Sequence, residues 1–150
     1  MEMRRYAEAD RTATIALAER LQEGVAPWRE PQAVKNAVTD WVRGSLDASC
    51  DAARAVFVAE DEHGLAGVVT VGERAHFTGD VDGYVGELVV HPRTLRSGVG
   101  RALMMAAKGW ARRRGHLRLS LDTGAANRAA RGFYSSLGYE EEDVRLSKAL

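Results

Sequence analysis

The chain has 150 residues, of which 45% are hydrophobic, and its 21 basic residues balance its 21 acidic ones. This length and apolar content predict one globular domain over residues 1–150 with a substantial core. The balanced charge excludes an overall electrostatic attraction to nucleic acid or to an anionic membrane surface, so any anionic ligand must be held by local geometry.

Cysteine content and the apolar pattern bear on cofactors and location. Cys50 is the only cysteine, which excludes an intrachain disulfide and a cysteine-built metal site. We predict no metal. The opening MEMRRYAEADR lacks the apolar run of a signal peptide, and no later run approaches the length of a membrane span. We therefore expect a cytoplasmic protein with no membrane or nucleic-acid partner, and a homodimer is a possible assembly.

The first third of the chain predicts one strand and two helices. Residues 3–6 form a short strand, and Asp10 caps a helix that turns apolar residues towards the core. After Pro31, apolar residues recur at spacings of three and four, which predicts one buried face of a second helix. The core positions expected in these two helices are Ile15, Ala18, Leu21, Val34, Ala37, Val38, Trp41 and Val42.

The middle of the chain predicts three strands. Residues 55–59 and 65–71 are rich in Val and are separated by a polar turn ending in Gly64, which is typical of a β-hairpin. Residues 76–86 then form a loop. Residues 84–90 are a third apolar run, in which Gly86 is out of place for a regular strand and predicts a β-bulge.

The last third predicts a helix over residues 99–114, a half-buried strand over 117–121 and a helix over 127–137. Val144 and Leu146 alternate with polar residues, which predicts a final strand. Together these elements predict a single domain of mixed α and β class.

The turn between the third strand and the long helix, HPRTLRSGVGRALM, predicts an anion site. The first N–H groups of a helix lack internal partners, and the helix dipole is positive at that end, so both favour a phosphate. Gly98 and Gly100 would let a pyrophosphate approach the backbone, and Arg96 and Arg101 would add charge. Alone, two glycines before a helix fit an ordinary loop equally well.

A second segment changes this balance. ELVVHPRTLRSGVGRAL is followed, after one helix and one strand, by NRAARGFYSSLGY. In order and separation the two segments resemble the signature of the GNAT superfamily of acyl-CoA N-acetyltransferases, closely over about residues 83–139. One departure is Leu95, which stands where the family usually has Arg or Gln, while the basic residue is Arg96.

The resemblance implies a mostly antiparallel sheet splayed at its middle strands and flanked by about four helices. It also implies acetyl-CoA as the donor, with the pyrophosphate on the amides of residues 96–101 and the pantetheine arm along the third strand. Asn127 would bond the cofactor, although as the first residue of its helix it can equally be an N-cap. The cofactor-binding residues so implied are Leu88, Val89, Val90, Arg96, Ser97, Gly98, Val99, Gly100, Arg101, Asn127 and Tyr134.

The resemblance further implies direct acetyl transfer to an amine in a ternary complex, with Tyr134 protonating the departing thiolate. The competing interpretation of Tyr134 is a core aromatic residue with its hydroxyl turned to some partner. A backbone N–H near Val89 or Val90 is expected to stabilise the oxyanion.

Two carboxylates are candidates for the base. Glu87 lies in an apolar strand beside the expected splay, where burial would raise its proton affinity. Asp122 ends the neighbouring strand at a position similar to the acidic base of the ribosomal-protein alanine acetyltransferases. The competing interpretations are a solvent-facing strand residue for Glu87 and a turn residue for Asp122. We prefer Glu87, with Asp122 second.

The resemblance implies that the acceptor is held by the first two helices and the loop at residues 76–84. Glu73, Asp80 and Asp82 could attract a cationic amine, such as a polyamine, an aminoglycoside or a peptide N-terminus, although a solvated charge run explains them as well. The alternative function is a non-catalytic acyl-CoA sensor or an interaction module, since fold does not fix function. The presence of both Tyr134 and a usable carboxylate favours an enzyme.

Overall fold

The computed structural model of the chain describes residues 1–150 and contains one five-stranded sheet. Neighbouring strands are antiparallel except the last pair, which is parallel. The predicted mixed fold with a mostly antiparallel sheet is therefore confirmed. In spatial order the strands are β1 (Glu2–Arg5), β2 (Ala55–Asp61), β3 (Gly64–Ala75), β4 (Val81–Val90) and β5 (Leu119–Leu121).

Four α-helices flank the sheet: α1 (Arg11–Ala18), α2 (Pro31–Asp47), α3 (Val99–Arg113) and α4 (Arg128–Ser136). Side chains alternate between the faces of a strand, so each face has its own apolar cluster. On one face α1 and α2 bury Val42 and Leu46 against Val58 and Val68. On the other face α3 buries Leu103 and its neighbours against the sheet, and apolar residues of α4 pack onto the same cluster. We call these the α2 face and the α3 face.

The middle strands are longer than predicted. β3 runs to Ala75 and β4 begins at Val81, so the loop between them contains only residues 76–80. β5 is shorter than predicted because it begins at Leu119, and Leu117 is exposed.

Two predictions from apolar periodicity are wrong. Trp41, expected in the core of α2, is 60% exposed, whereas Val38 and Val42 on the same helix are buried. The expected strand at residues 144–147 is absent, and Val144 and Leu146 are exposed. Alternation specifies which side chains share a face, but a strand also needs a neighbouring strand to accept its hydrogen bonds.

Candidate active site

The centre of the sheet contains a β-bulge in β4. Two residues of β4, Gly86 and Glu87, stand opposite a single residue of β3, Thr70. The bulge predicted at Gly86 is therefore present. An extra residue inverts the alternation of the side chains that follow it. Because of this inversion, Glu87 lies on the α2 face, where it contacts Ser45, instead of sharing the α3 face with Val85.

The same bulge redirects the main chain of β4. Before it, the Gly83 N–H donates to the Arg118 carbonyl, on the β5 side. Beyond it, the His91 N–H donates 2.8 Å to a carbonyl of β3, so the alternation turns the amides and carbonyls of Leu88 and Val90 away from β3. β5 pairs only with residues 83–85. The strands are therefore splayed, and the edge of β4 at residues 88–90 has no strand partner.

On this open edge, the Val90 carbonyl already accepts a hydrogen bond from within the chain. Arg20, just after α1, donates from Nη1 to the Val90 carbonyl oxygen at 2.7 Å, and its guanidinium also bonds Glu23. The Val89 amide is directed towards β3 by the register. Of the two oxyanion donors considered from the sequence, Val90 is therefore the one whose N–H faces the open edge.

Glu87 is a buried acid, with 7% of its surface exposed. Ser45 Oγ donates to its carboxylate at 2.9 Å and Thr70 Oγ1 donates to Oε2, while the Glu87 amide donates 2.9 Å to the same threonine oxygen. Burial raises the pKa of Glu87 above its ordinary value, and the hydrogen bonds from Thr70 and Ser45 and the nearby charge of Arg54 oppose that rise. Glu87 is therefore buried, as the sequence predicted, and burial acts on its pKa in the expected direction.

Glu87 opens into a cavity of about 570 Å³ on the α2 face. Its floor is the centre of β3 and β4, including Thr70, and one wall is the α2 segment around Trp41. Arg54 and Tyr84 also line the cavity. The cavity is lined by α2 and, from the segment at residues 76–84 that the sequence had favoured, by Tyr84, but not by α1. It has the size of a small-molecule site.

Asp122 stands in different surroundings from Glu87. Its side chain is 72% exposed and pairs with Arg74, and it accepts a hydrogen bond of 2.8 Å from the Tyr84 hydroxyl. Burial of the carboxyl would raise its pKa, but the bonds from Arg74 and Tyr84 outweigh that effect, so the pKa of Asp122 is lowered. A carboxylate held by a cation in this way is a weaker proton acceptor than Glu87.

Tyr134, on α4, is packed among aromatic rings. Its ring centroid lies 5.2 Å from that of Phe133 and 5.7 Å from that of Tyr139, and its hydroxyl has no hydrogen-bond partner in the chain. Burial, together with Tyr139, raises the pKa of Tyr134 to about 12. The core-aromatic interpretation supposed a partner for the hydroxyl, and the structure provides none.

The turn before α3 has the backbone of an anion-binding loop. Arg96 and Gly98 both have positive φ, 61° and 88°, and Gly98 is the N-cap residue of α3. The first amides of α3, from Val99 to Arg101, therefore have no partner within the helix, and left-handed residues next to a helix start gather N–H groups around one concavity. Arg96 and Arg101 are exposed and form no ion pair.

The residues of this turn have different structural roles. The Gly98 conformation suits glycine. A Cβ at Gly100 would lie 3.3 Å from Phe133 Cζ and 3.5 Å from Val90 Cγ2, so Gly100 lets α3 approach α4 and β4 closely. Both the Oγ and the amide of Ser97 donate to the Thr94 carbonyl, at 2.6 Å and 3.3 Å. The Val99 side chain is buried, and its amide, at the start of α3, is left for a ligand.

Asn127 is the N-cap of α4. Its Oδ1 accepts a hydrogen bond of 3.1 Å from the Ala130 amide, and its Nδ2 donates 3.2 Å to the Glu23 carbonyl. Close packing supports this contact, since a Cβ at Gly24 would overlap the Asn127 side chain. The capping role weighed from the sequence is therefore present, and residues 20–24 bridge the open side of the splay.

The three acidic residues near the β3–β4 loop do not form an acidic surface in the cavity. Glu73 borders it, but the Glu73 carboxylate accepts hydrogen bonds of 2.8 Å from Arg114 and 2.9 Å from His116. Asp80 and Asp82 are not among the residues that line the cavity.

Four residues of the site were not recognised from the sequence: Ser45, Thr70, Arg54 and, as a site residue, Trp41. Each is distant along the chain from the glycine turn, and none belongs to a motif. A serine in the apolar stripe of α2, one turn from Val42, is the single signal that could have indicated a polar partner under that helix.

No group of three or more His, Cys, Asp or Glu side chains is arranged to hold a metal ion in residues 1–150. None of the helices is long and apolar enough to cross a membrane.

Solved structures share this fold at low identity. A putative acetyltransferase from Pyrococcus furiosus matches with a TM-score of 0.76 and 19% identity, covering 99% of this chain and 100% of that one. The Arabidopsis thaliana glucosamine-6-phosphate N-acetyltransferase has a TM-score of 0.69 and 19% identity, over 99% and 97% of the two chains. The aminoglycoside 6'-N-acetyltransferase of Acinetobacter haemolyticus has a TM-score of 0.69 and 17% identity, over 100% and 99%.

A search of curated proteins gives no match. The family model described as the acetyltransferase (GNAT) family matches residues 9–139, which is most of the chain and includes both the glycine turn and the α4 segment. On this match, and with the splayed sheet that the bulge produces, the chain belongs to the GNAT family of acetyltransferases.

Proposed function

We propose that this protein transfers an acetyl group from acetyl-CoA to a primary amine of a small molecule or peptide in a ternary complex. The observation that carries the proposal is the buried Glu87 carboxyl, turned by the bulge into a cavity beside the unpartnered edge of β4. An acid in that setting is a stronger proton acceptor than an exposed carboxylate.

The residues present fit acetyl-CoA. The positive φ angles of Arg96 and Gly98 and the open start of α3 suit a pyrophosphate, with Arg96 and Arg101 adding charge. The edge of β4 at Leu88 suits the amides of a pantetheine arm, whereas the Val90 carbonyl already accepts a hydrogen bond from Arg20. When bound, acetyl-CoA supplies a thioester, and transfer forms a C–N bond to the amine as the C–S bond breaks.

The chain's own groups account for the protons. Glu87 takes a proton from the acceptor ammonium, directly or through water, so that the nitrogen lone pair is available. After attack the nitrogen loses a second proton to solvent, which leaves the neutral amide. Tyr134, which its raised pKa keeps protonated, gives a proton to the departing sulfur. The Val90 amide is the donor we assign to the carbonyl oxygen. The single cysteine supports a cytoplasmic enzyme without a cysteine-built metal site, and the balanced charge supports one without a nucleic-acid or membrane partner.

The direct test is a panel of primary amines with acetyl-CoA and detection of released thiol, together with calorimetry of CoA binding. Gly100→Glu adds bulk and a negative charge at the turn and should weaken CoA binding at least about tenfold. Gly100→Ala is the matched control, since it adds only the Cβ that approaches Phe133.

Three results would contradict the proposal in different ways. Gly100→Glu with parental CoA affinity would move the cofactor site elsewhere. CoA binding without thiol release for any amine would favour a sensor. The absence of both binding and release would leave the chain a member of the fold without the reaction.

A further inference from the structure

One cation of the cavity wall has no partner. Arg54 makes no side-chain hydrogen bond or ion pair with any residue of the chain, although most arginines of the sheet region are paired. Its aliphatic stem lies over β3, because Cγ is 3.6 Å from where a Cβ of Gly72 would be. Its charge is close enough to Glu87 to affect that group's titration. An unpaired guanidinium on a site wall is suited to bind a carboxylate through two hydrogen bonds.

Apart from Glu87, the other charged side chains of the cavity are paired with an opposite charge or exposed to solvent. Arg74 pairs with Asp122, and its guanidinium lies 4.7 Å from the centroid of the Tyr84 ring. Asp40, on α2, has an exposed side chain, with Arg43 at 3.9 Å. The Glu73 carboxylate is bound by Arg114. The acidic groups that would attract a polyamine are therefore neutralised or exposed to solvent, whereas the free charge is positive.

Trp41 adds an apolar surface between these groups. It lines the cavity from α2 with 60% of its surface exposed, on the wall that also contains Gly44 and Ser45. An exposed tryptophan in a cavity provides contact area for the apolar body of a ligand. A buried proton acceptor, an apolar wall and an unpaired cation together complement a molecule with an amine, an apolar body and an anion.

We propose that the acceptor is an amine that also carries a carboxylate, and that Arg54 binds this carboxylate while the amine reaches Glu87. The inference rests on the proposed function and names the acceptor class of the same site. It makes Arg54 a residue that determines acceptor specificity, separate from the groups that move protons.

The experiment compares acceptors of matched length: ω-amino acids of increasing chain length, the α-amino acids with apolar side chains, and the alkylamines and diamines of the same lengths. With the parent protein, kcat/KM for the best amino acid should exceed that of the matching alkylamine and diamine by at least about tenfold, the effect expected of a charged hydrogen-bonded pair. Calorimetry of the unreacted amino acid with the CoA-loaded protein gives a readout independent of turnover.

Arg54→Gln should remove this preference by raising KM for the amino acid at least about tenfold and weakening its calorimetric binding. Rates with alkylamines should stay at the parental level, measured at alkaline pH so that Glu87 is ionised in both proteins. Arg54→Lys should restore part of the preference. Lys108→Gln, an equal loss of charge on exposed α3, is the matched control.

Each contrary outcome is distinguishable. If Arg54→Gln lowered kcat/KM equally for amino acids and for alkylamines, the role of Arg54 would be structural. If the parent protein preferred diamines and Asp40→Asn abolished that preference, the acceptor would be a polyamine. Both overturn the inference while leaving acetyl transfer intact, whereas no thiol release with any acceptor would fail the proposed function itself.

Discussion

The two faces of the sheet use the same physical effect for opposite chemical purposes. On the α2 face, burial raises the pKa of Glu87, a carboxyl that hydroxyls hold in a cavity. On the α3 face, burial raises the pKa of Tyr134, a phenol among aromatic rings. Loss of water favours the neutral form of both groups. For a carboxyl this strengthens the base, and for a phenol it keeps the proton available for donation.

The faces also differ in how their charges are balanced. At the α3 face the Glu73 carboxylate is bound by Arg114 and His116. On the α2 face Glu87 accepts no hydrogen bond from a cation, and the Arg54 side chain donates none to an anion. Glu87 and Arg54 of the candidate site therefore lack a hydrogen-bonded group of opposite charge, which Glu73 has.

The largest expected effect is on turnover when the proposed base, Glu87, is removed. Glu87→Gln keeps the shape and hydrogen bonding of the side chain but cannot accept the proton, so kcat should fall about 100-fold or more. The rise of rate with pH should flatten. Asp122→Asn, which changes a carboxylate already paired with Arg74, should do much less. Steady-state kinetics across pH measure both variants, and the reverse ranking would exchange the two roles.

The next effect concerns Tyr134, the proposed acid on the α3 face. Tyr134→Phe removes only the hydroxyl, so kcat should fall about tenfold or more while CoA affinity measured by calorimetry stays near the parental value. Tyr139→Phe, in the neighbouring ring, is the matched control and should leave kcat unchanged. Equal turnover in the two variants would return Tyr134 to a packing role.

A smaller effect follows from the hydroxyls that hold Glu87. The hydrogen bond from Ser45 lowers the pKa of Glu87 and so opposes burial. Ser45→Ala should therefore raise this pKa and move the acidic limb of the kcat/KM profile to higher pH. Thr39→Ala on the same helix removes a hydroxyl that bonds only the Lys35 carbonyl, and its profile should match the parent. If the acidic limb of the Ser45→Ala profile stayed at the parental pH, Glu87 would not be the group whose ionisation produces that limb.

The smallest effect is on stability, and it has opposite signs on the two faces. The raised pKa of Glu87 means that the folded protein holds this proton more tightly than the unfolded chain. That contribution is present below the unfolded carboxyl pKa and is lost as pH rises through the folded pKa. Glu87→Gln should therefore melt higher than the parent at neutral pH, by a few degrees at about 2–4 °C per kcal/mol, with little difference in acid.

Glu73→Gln provides the contrast. Arg114 and then His116 lower the pKa of Glu73, so its contribution is present above the unfolded pKa and is lost as pH falls. This variant should melt slightly lower than the parent at neutral pH and converge with it in acid, with unchanged kinetics. Thermal melts at several pH values test both variants. If both changed the melting temperature at neutral pH in the same direction, the proposed difference between the two faces would be wrong.

Local sequence determined much of this protein. The glycine turn and α3 follow from a strand end, glycine at a position of positive φ and an apolar stripe, all within one continuous segment. The bulge at Gly86 and the buried acid after it were predictable for the same reason, since one glycine and one carboxyl interrupt an apolar run. The family resemblance depends on these segments and on the start of α4.

Only the tertiary structure decided what surrounds them. The bulge turns Glu87 to the face that α2 covers, where Ser45 and Thr70 bond its carboxylate and Arg54 lines the same cavity. No local pattern encodes which helix lies over which strand. Trp41 fits an apolar helix stripe by spacing but lies at the edge of that stripe, where the cavity leaves it exposed. The residues at 144–147 alternate as a strand does, yet a strand forms only where another strand can accept its hydrogen bonds.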